Sequence, residues 1–391
     1  MINRILLARK MIAATCALAV FLAACFIMSE TVPAAASPQS TNVVHYRGNP
    51  QRTGAYNEPG IRQMPGVKWQ ASFGGGLFSS PVFSDGVLYI PSGDGRLYAY
   101  NSETGQRLWS FKAKPASRLL TSIALADGVV YIGIERKRLY AVDAATGQKL
   151  WQFKKAKGII WTAPLVVANT IYFASDNVKF FAVDATTHTQ QWKIETGRRS
   201  LWPPVYDNGT VFFQTENFLY AVDSETGQEK WKIEKPANLV WGPLAIVNGL
   251  IYAGNSDGKF YALNRETGAE VWSHAGDGDD WSAPAIADGV VYVGNRDEFM
   301  YALNAQTGER LWRFKAEDWA TSDPIVSGGV VYFGVANHEN REGQRYFYAL
   351  DAQTGQELWK FKADSRLFGS AAAGDGAVYF TSFNGTTYPL Q

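Results

Sequence analysis

The chain of 391 residues is 46% apolar and 14% aromatic, with 37 glycines to supply turns, a composition that excludes disorder. Its 37 lysines and arginines face 36 acidic residues, so no bulk field draws it to nucleic acid or to an anionic membrane surface. The only cysteines are Cys16 and Cys25, which rules out disulfides, thiol nucleophiles and zinc–thiolate sites beyond them.

Residues 1–36 read as an export segment. Arg4, Arg9 and Lys10 precede an uncharged apolar run from Met11 to Met28, the layout of a secretory signal. Two cleavage readings are open. Leu22-Ala23-Ala24-Cys25 matches a lipoprotein box, in which Cys25 would carry the lipid, and Ala34-Ala35-Ala36 offers small residues to an ordinary signal peptidase. An uncleaved anchor is a third reading, because a run of about 18 apolar residues just spans a bilayer. Each places the body outside the cytoplasm, in a periplasm or at an outer membrane.

Residues 37–65 form a lead-in, and the remainder, 66–391, repeats. Trp69, Trp109, Trp151, Trp192, Trp231, Trp272, Trp312 and Trp359 follow one another at intervals of 40, 42, 41, 39, 41, 40 and 47 residues, the period of a propeller blade. In the first unit a short apolar strand meets Asp85-Gly86, and a second runs from Val87 to Pro91. Gly93-Asp94-Gly95 then turns into a third strand, and Asn101 to Gly105 into a fourth that reaches Trp109. The Thr-Gly turn recurs at Gly147, Gly227, Gly268, Gly308 and Gly355, with His188 in its place in the third unit. The eight repeated indoles are expected to pack between blades with each N–H on a backbone carbonyl, and none is assigned a ligand.

The last unit, from Phe368, supplies three strands and no Trp, while Val67-Lys68-Trp69-Gln70-Ala71 has the fourth-strand pattern with nothing before it. The predicted fold is therefore all-β. It is an eight-bladed β-propeller of four-stranded antiparallel blades whose last blade is closed by an N-terminal strand, leaving no free ring edge. Such a closed ring is expected to be a monomer.

The motif Tyr-Ala-x-Asp-x-x-Thr-Gly-x-x-x-Trp, as at Tyr140–Trp151 and Tyr348–Trp359, resembles that of the pyrroloquinoline-quinone-type propellers. That superfamily includes quinoprotein alcohol dehydrogenases and the outer-membrane β-barrel assembly lipoprotein. The segment Arg47-Gly48-Asn49-Pro50-Gln51-Arg52-Thr53-Gly54 is similar to one that often leads into such rings. The resemblance covers roughly residues 44–391 and implies the fold; the repeated residues are packing residues and do not choose an activity.

Binding on propellers concentrates at the channel mouth. Eight residues before each first turn lie Phe78, Leu120, Trp161, Leu201, Trp241, Trp281, Thr321 and Phe368, with Trp202 and Trp319 close by. Two readings are open: a plug that fills the channel where the inner strands converge, or an aromatic funnel that grips a planar ligand or an apolar side chain of a partner. The same loops sort charge by blade. Arg118, Lys157, Arg198 and Arg199 lie in units two to four, and Asp277, Asp279, Asp280, Glu317, Asp318 and Asp323 in units six and seven, which reads either as a bipolar mouth or as a scatter of solvated loop charges.

The resemblance implies a cofactor only through the dehydrogenases, which hold pyrroloquinoline quinone between a Trp and an adjacent-cysteine disulfide, with calcium beside it. No cysteine follows Cys25, and no Cys-x-x-Cys-His for haem is present. Asp277-Gly278-Asp279-Asp280 lacks the rest of a calcium loop, and His45, His188, His274 and His338 share no ligand spacing, so no metal and no catalytic residue is assigned. One insertion, residues 337–345, lengthens unit seven on the mouth side. Three functions follow. The first is a non-catalytic binding or scaffolding propeller in outer-membrane protein assembly; the second is a reduced quinoprotein oxidoreductase binding the quinone through Trp161, Trp241 or Trp281. The third is a sensor of an exported small molecule or glycan.

Overall fold

The computed structural model describes residues 43–74, 76, 79–114, 119, 121–200, 202–234, 242–336 and 345–391. Every strand among them belongs to one of eight sheets, and each sheet has a four-stranded antiparallel blade at its centre. In blade one the order from the axis outward is Val82–Ser84, Val87–Pro91, Arg96–Asn101 and Arg107–Lys112. The second and third strands are nearly continuous apolar runs because both of their faces are covered, and Leu88, Ile90, Leu97 and Ala99 are buried. The outermost strands are half exposed, which is why they alternate.

The seams between blades follow from one side chain and one turn. Trp109 donates its indole N–H to the carbonyl of Ala144 in the next blade at 3.0 Å. The Thr-Gly turn there holds Gly147 at φ 71°, with the indole so close that a Cβ would lie 2.6 Å from it. Glycine is thus required twice over, by dihedral and by contact. Trp69, Trp192, Trp231, Trp272 and Trp312 donate across their own seams in the same way. At the third unit His188 adopts φ 60° and stacks on Trp151 at 4.4 Å.

Blade eight closes as expected. Its three C-terminal strands are completed by Ala71–Ser72, with Ala71 opposite Thr387, Ser72 opposite Thr386 and Val67 bridging Leu390. This blade has no Thr-Gly turn of its own, and Trp359 donates instead to the carbonyl of Ile61 in the lead-in at 2.7 Å.

The path of residues 43–61 is invisible in the repeat. Val43–His45 pairs antiparallel with the inner strand of blade two, Val43 lying opposite Ala126 beside the Asp127-Gly128 turn. The chain therefore enters the channel from the face opposite the mouth. It turns at Tyr46–Asn49 and then offers one carbonyl to each successive blade: Pro50 to the Tyr206 N–H at 3.0 Å, Gln51 to Ile246 at 3.1 Å, Thr53 to Ile286 at 2.8 Å and Gly54 to Val326 at 2.9 Å. Ala55–Tyr56 runs parallel to the inner strand of blade seven and leads out by the face of entry. The strap thus satisfies backbone groups on the inner edges of blades two, four, five, six and seven.

Two arginines hold this strap. Arg52, buried, donates to the carbonyls of Pro204 at 2.7 Å, Tyr46 at 3.1 Å, Pro164 at 3.3 Å and Ala163 at 3.4 Å. Desolvation, with Arg47 nearby, lowers its pKa to about 9, so it stays cationic at neutral pH. Arg47 donates to the Pro284 carbonyl at 2.6 Å and lies 4.0 Å from the Asp323 carboxylate.

Candidate functional site

The strap sets the floor beneath the described part of the aromatic column. The channel is stopped by residues 45–54, and above them the mouth opens as a cavity of about 350 Å³. Its floor is Tyr46 at the strap's turn, and its walls come from the loops that enter the inner strands: Trp161, Trp202, Trp319 and Phe368, with an edge of Trp281. Tyr46 donates to Asp323, and burial together with that carboxylate raises its pKa, keeping the phenol protonated.

The rings differ in how much they offer. Trp161 is 42% exposed, an unusual state for an indole, while Trp202, Trp319 and Phe368 are half-buried. Trp281 is 3% exposed and packs between Phe260 and Tyr301 across blades five and six, so it belongs mainly to the core. The Arg296 guanidinium lies over Trp319, 4.1 Å from the ring centroid, and Arg366 lies 5.2 Å from that of Phe368.

The charges are placed less simply than their spacing suggests. Arg198 and Arg199 are exposed on the rim, outside the cavity. Asp280 lines the cavity from blade six, with Asp277 and Asp279 exposed beside it. Asp318 corrects the expectation of a mouth charge: it is buried, and its carboxylate accepts the N–H of Trp319 at 2.8 Å, capping its own loop. Asp323 does line the cavity but is fixed by Tyr46, by the Ala283 N–H at 2.8 Å and by Arg47, so its work is to hold the strap. Phe78, Trp241, Arg118 and Cys25 lie outside the described residues, as do positions 337–344 of the insertion. Among the described residues no group of three His, Cys, Asp or Glu is placed to hold a metal ion.

Sequence reasoning missed Tyr46, Arg47, Arg52 and Arg296. Arg47 and Arg52 sit in a Gly- and Pro-bearing stretch without period, and their burial has no local signal. Arg296 was passed over because it lies in a turn between second and third strands rather than in the aligned column.

The comparisons with known proteins follow the repeat. No curated protein sequence matches the chain. Among solved structures, BamB from Moraxella catarrhalis aligns with a TM-score of 0.70 at 18% identity, over 84% of this chain and 99% of that one. A quinohemoprotein alcohol dehydrogenase from Comamonas testosteroni gives 0.74 at 16%, over 91% and 81%. The computationally designed Ika8 protein gives 0.72 at 18%, over 84% and 99%. An assembly factor, a dehydrogenase and a designed ring share this architecture, so at these identities the likeness is one of fold alone. The model of the family described as outer membrane protein assembly factor BamB, however, matches residues 65–233, 135–278 and 277–388. With its repeat accounted for from the first outer strand to the last blade, the chain belongs to that family of pyrroloquinoline-quinone-like propellers.

Proposed function

We propose that this protein is an exported, non-catalytic binding propeller that docks a protein partner across its mouth and serves outer-membrane protein assembly. The observation that carries the reading is the closed floor: with the channel stopped by the strap, the mouth is an aromatic cavity with Asp280 and Arg296 in its wall and Arg198 and Arg199 exposed outside it. A rim of that kind steers and orients a partner more than it adds affinity. Family membership supports a place in the periplasm or at the outer membrane, with Cys25 as the candidate lipid tether.

The quinone reading is not favoured. A planar tricarboxylate needs an open ring face and cationic partners. Here Trp161 offers a ring face, but Arg296 is the one cation among the described lining residues, and it lies 3.4 Å from the Asp279 carboxylate. The residues present do not fit the group.

The test is affinity capture from membranes with the tagged chain. The wild type recovers a specific partner, and Arg198→Glu with Arg199→Glu releases it without changing the thermal midpoint, because both side chains are exposed. Equal recovery by the double variant would remove the rim from the reading. Saturable binding of pyrroloquinoline quinone with calcium would restore the oxidoreductase.

A further inference from the structure

The cavity inside the rim has a chemistry of its own, separable from the docking of a partner. Its lining changes by blade. Rings come from blades three, four, seven and eight, hydroxyls from Ser80 and Thr121 in blades one and two, and a carboxylate beside a guanidinium from Asp280 and Arg296 in blade six. A side chamber of about 170 Å³ shares Trp202, Asp280, Trp281 and Arg296 with it and adds Asn255, Ser256 and Asp279.

Three kinds of occupant need different things. An extended peptide that joins a sheet needs an unpaired strand edge. Inside this channel the inner strands of blades four to seven already bond to the carbonyls of Pro50, Gln51, Thr53 and Gly54. A polyanion needs several cations, and among the described residues Arg296 alone lines either chamber, flanked by Asp279 and Asp280. A neutral polyhydroxylated ring needs a flat apolar face for its C–H side and short polar side chains in its plane for its hydroxyls. Both are present. Trp161 and Trp202 supply faces that, among the described residues, pair with no other aromatic ring, and Asp280, Arg296, Asn255 and Ser256 line the chambers beside them.

We infer that the paired chambers are a binding site for a short, neutral oligosaccharide, its first ring stacked on Trp161 and its hydroxyls met at the Asp280–Arg296 edge. The main chamber lies at the small end of ligand cavities, which limits the occupant to a few rings.

The experiment is isothermal titration of the intact exported protein with cellobiose, maltose and chitobiose in turn, each to about 20 mM, a range that captures millimolar affinities. At least one sugar is expected to bind saturably, and Trp161→Ala to weaken it about tenfold. Asp280→Asn is expected to weaken it as well, with the thermal midpoint unchanged in both variants. The Arg198→Glu, Arg199→Glu variant binds sugar as the wild type does, so loss of the partner and loss of the sugar are read independently. Absence of heat with all three sugars, or binding that both cavity variants leave intact, overturns the inference.

Discussion

The seams between blades and the strap in the channel do the same work, joining neighbouring blades, by opposite means. A seam is one Trp on one Thr-Gly turn, repeated around the ring, and each joins two blades. The strap is a single aperiodic segment that pairs with the inner strands of blades two and seven and whose carbonyls accept N–H groups from blades four, five, six and seven. Repetition makes each seam dispensable in proportion, since stability in a repeat ring is close to a sum of nearest-neighbour terms. The strap has no duplicate. The contrast implies that substitutions of similar chemical size have unequal effects according to which device they touch.

The sharpest way to break that contrast is Arg52→Ala. Four buried carbonyls, from Tyr46, Ala163, Pro164 and Pro204, would lose a charged donor at once. An orphaned buried acceptor costs ~1–3 kcal/mol, and some of the four will find substitutes, so a net loss of about 4 kcal/mol is expected. Urea unfolding measures it. A loss under about 1 kcal/mol would mean that the strap rides in the channel without holding it.

A matched pair of glycines isolates the seam. Gly147 and Gly128 have nearly the same dihedral, φ 71° and 73°, but a Cβ at Gly147 meets Trp109 at 2.6 Å while one at Gly128 meets nothing within 4 Å. Gly128→Ala should cost only the left-handed backbone penalty, ~1 kcal/mol. Gly147→Ala adds overpacking against the indole and should reach about 3 kcal/mol. Equal midpoints for the two variants would show that the turn demands glycine for its dihedral alone, and that the indole is free to move.

The same division explains what was legible in the sequence. The ring, its blade number and its closure by Val67–Ala71 were readable because each rests on a local pattern repeated many times: Asp-Gly, Thr-Gly and Trp at fixed intervals. Alignment on the first turn also picks out Trp161, Trp281 and Phe368, of which Trp161 and Phe368 line the cavity and Trp281 packs mainly in the core. That Trp161 and Phe368 line open space was unreadable, because that space depends on a segment paired with strands far along the chain, Val43 with Ala126 and Ala55 with Val326. Asp318 and Asp323 show the limit at single residues. Both are acids in one mouth loop, yet one caps its own backbone and the other receives a phenol from the strap, and nothing in their spacing separates them.

A further expected effect tests the strap through pH. His45, in the strap strand, is buried, and desolvation with the Arg52 guanidinium lowers its pKa from 6.5 to about 3. In the unfolded chain the imidazole takes a proton near pH 6.5, whereas in the fold it stays neutral until about pH 3. Between these values the unfolded state binds more protons, so the contribution is complete above pH 6.5 and falls as pH drops through that value, by up to 1.4 kcal/mol per unit on the order of one proton. From pH 7 to pH 5 the wild type should therefore lose about 2 kcal/mol through this residue. Asp143, Asp184, Asp223 and Asp351, whose pKa values are lowered by hydrogen bonds within their turns and, for Asp351, first by Arg62, remain ionised at pH 5 and do not contribute to that fall. His45→Asn removes the titrating group and should flatten the difference between urea midpoints at the two pH values. A wild type and a variant with the same slope would place the imidazole in contact with water, and with it the part of the strap that separates the channel from the mouth.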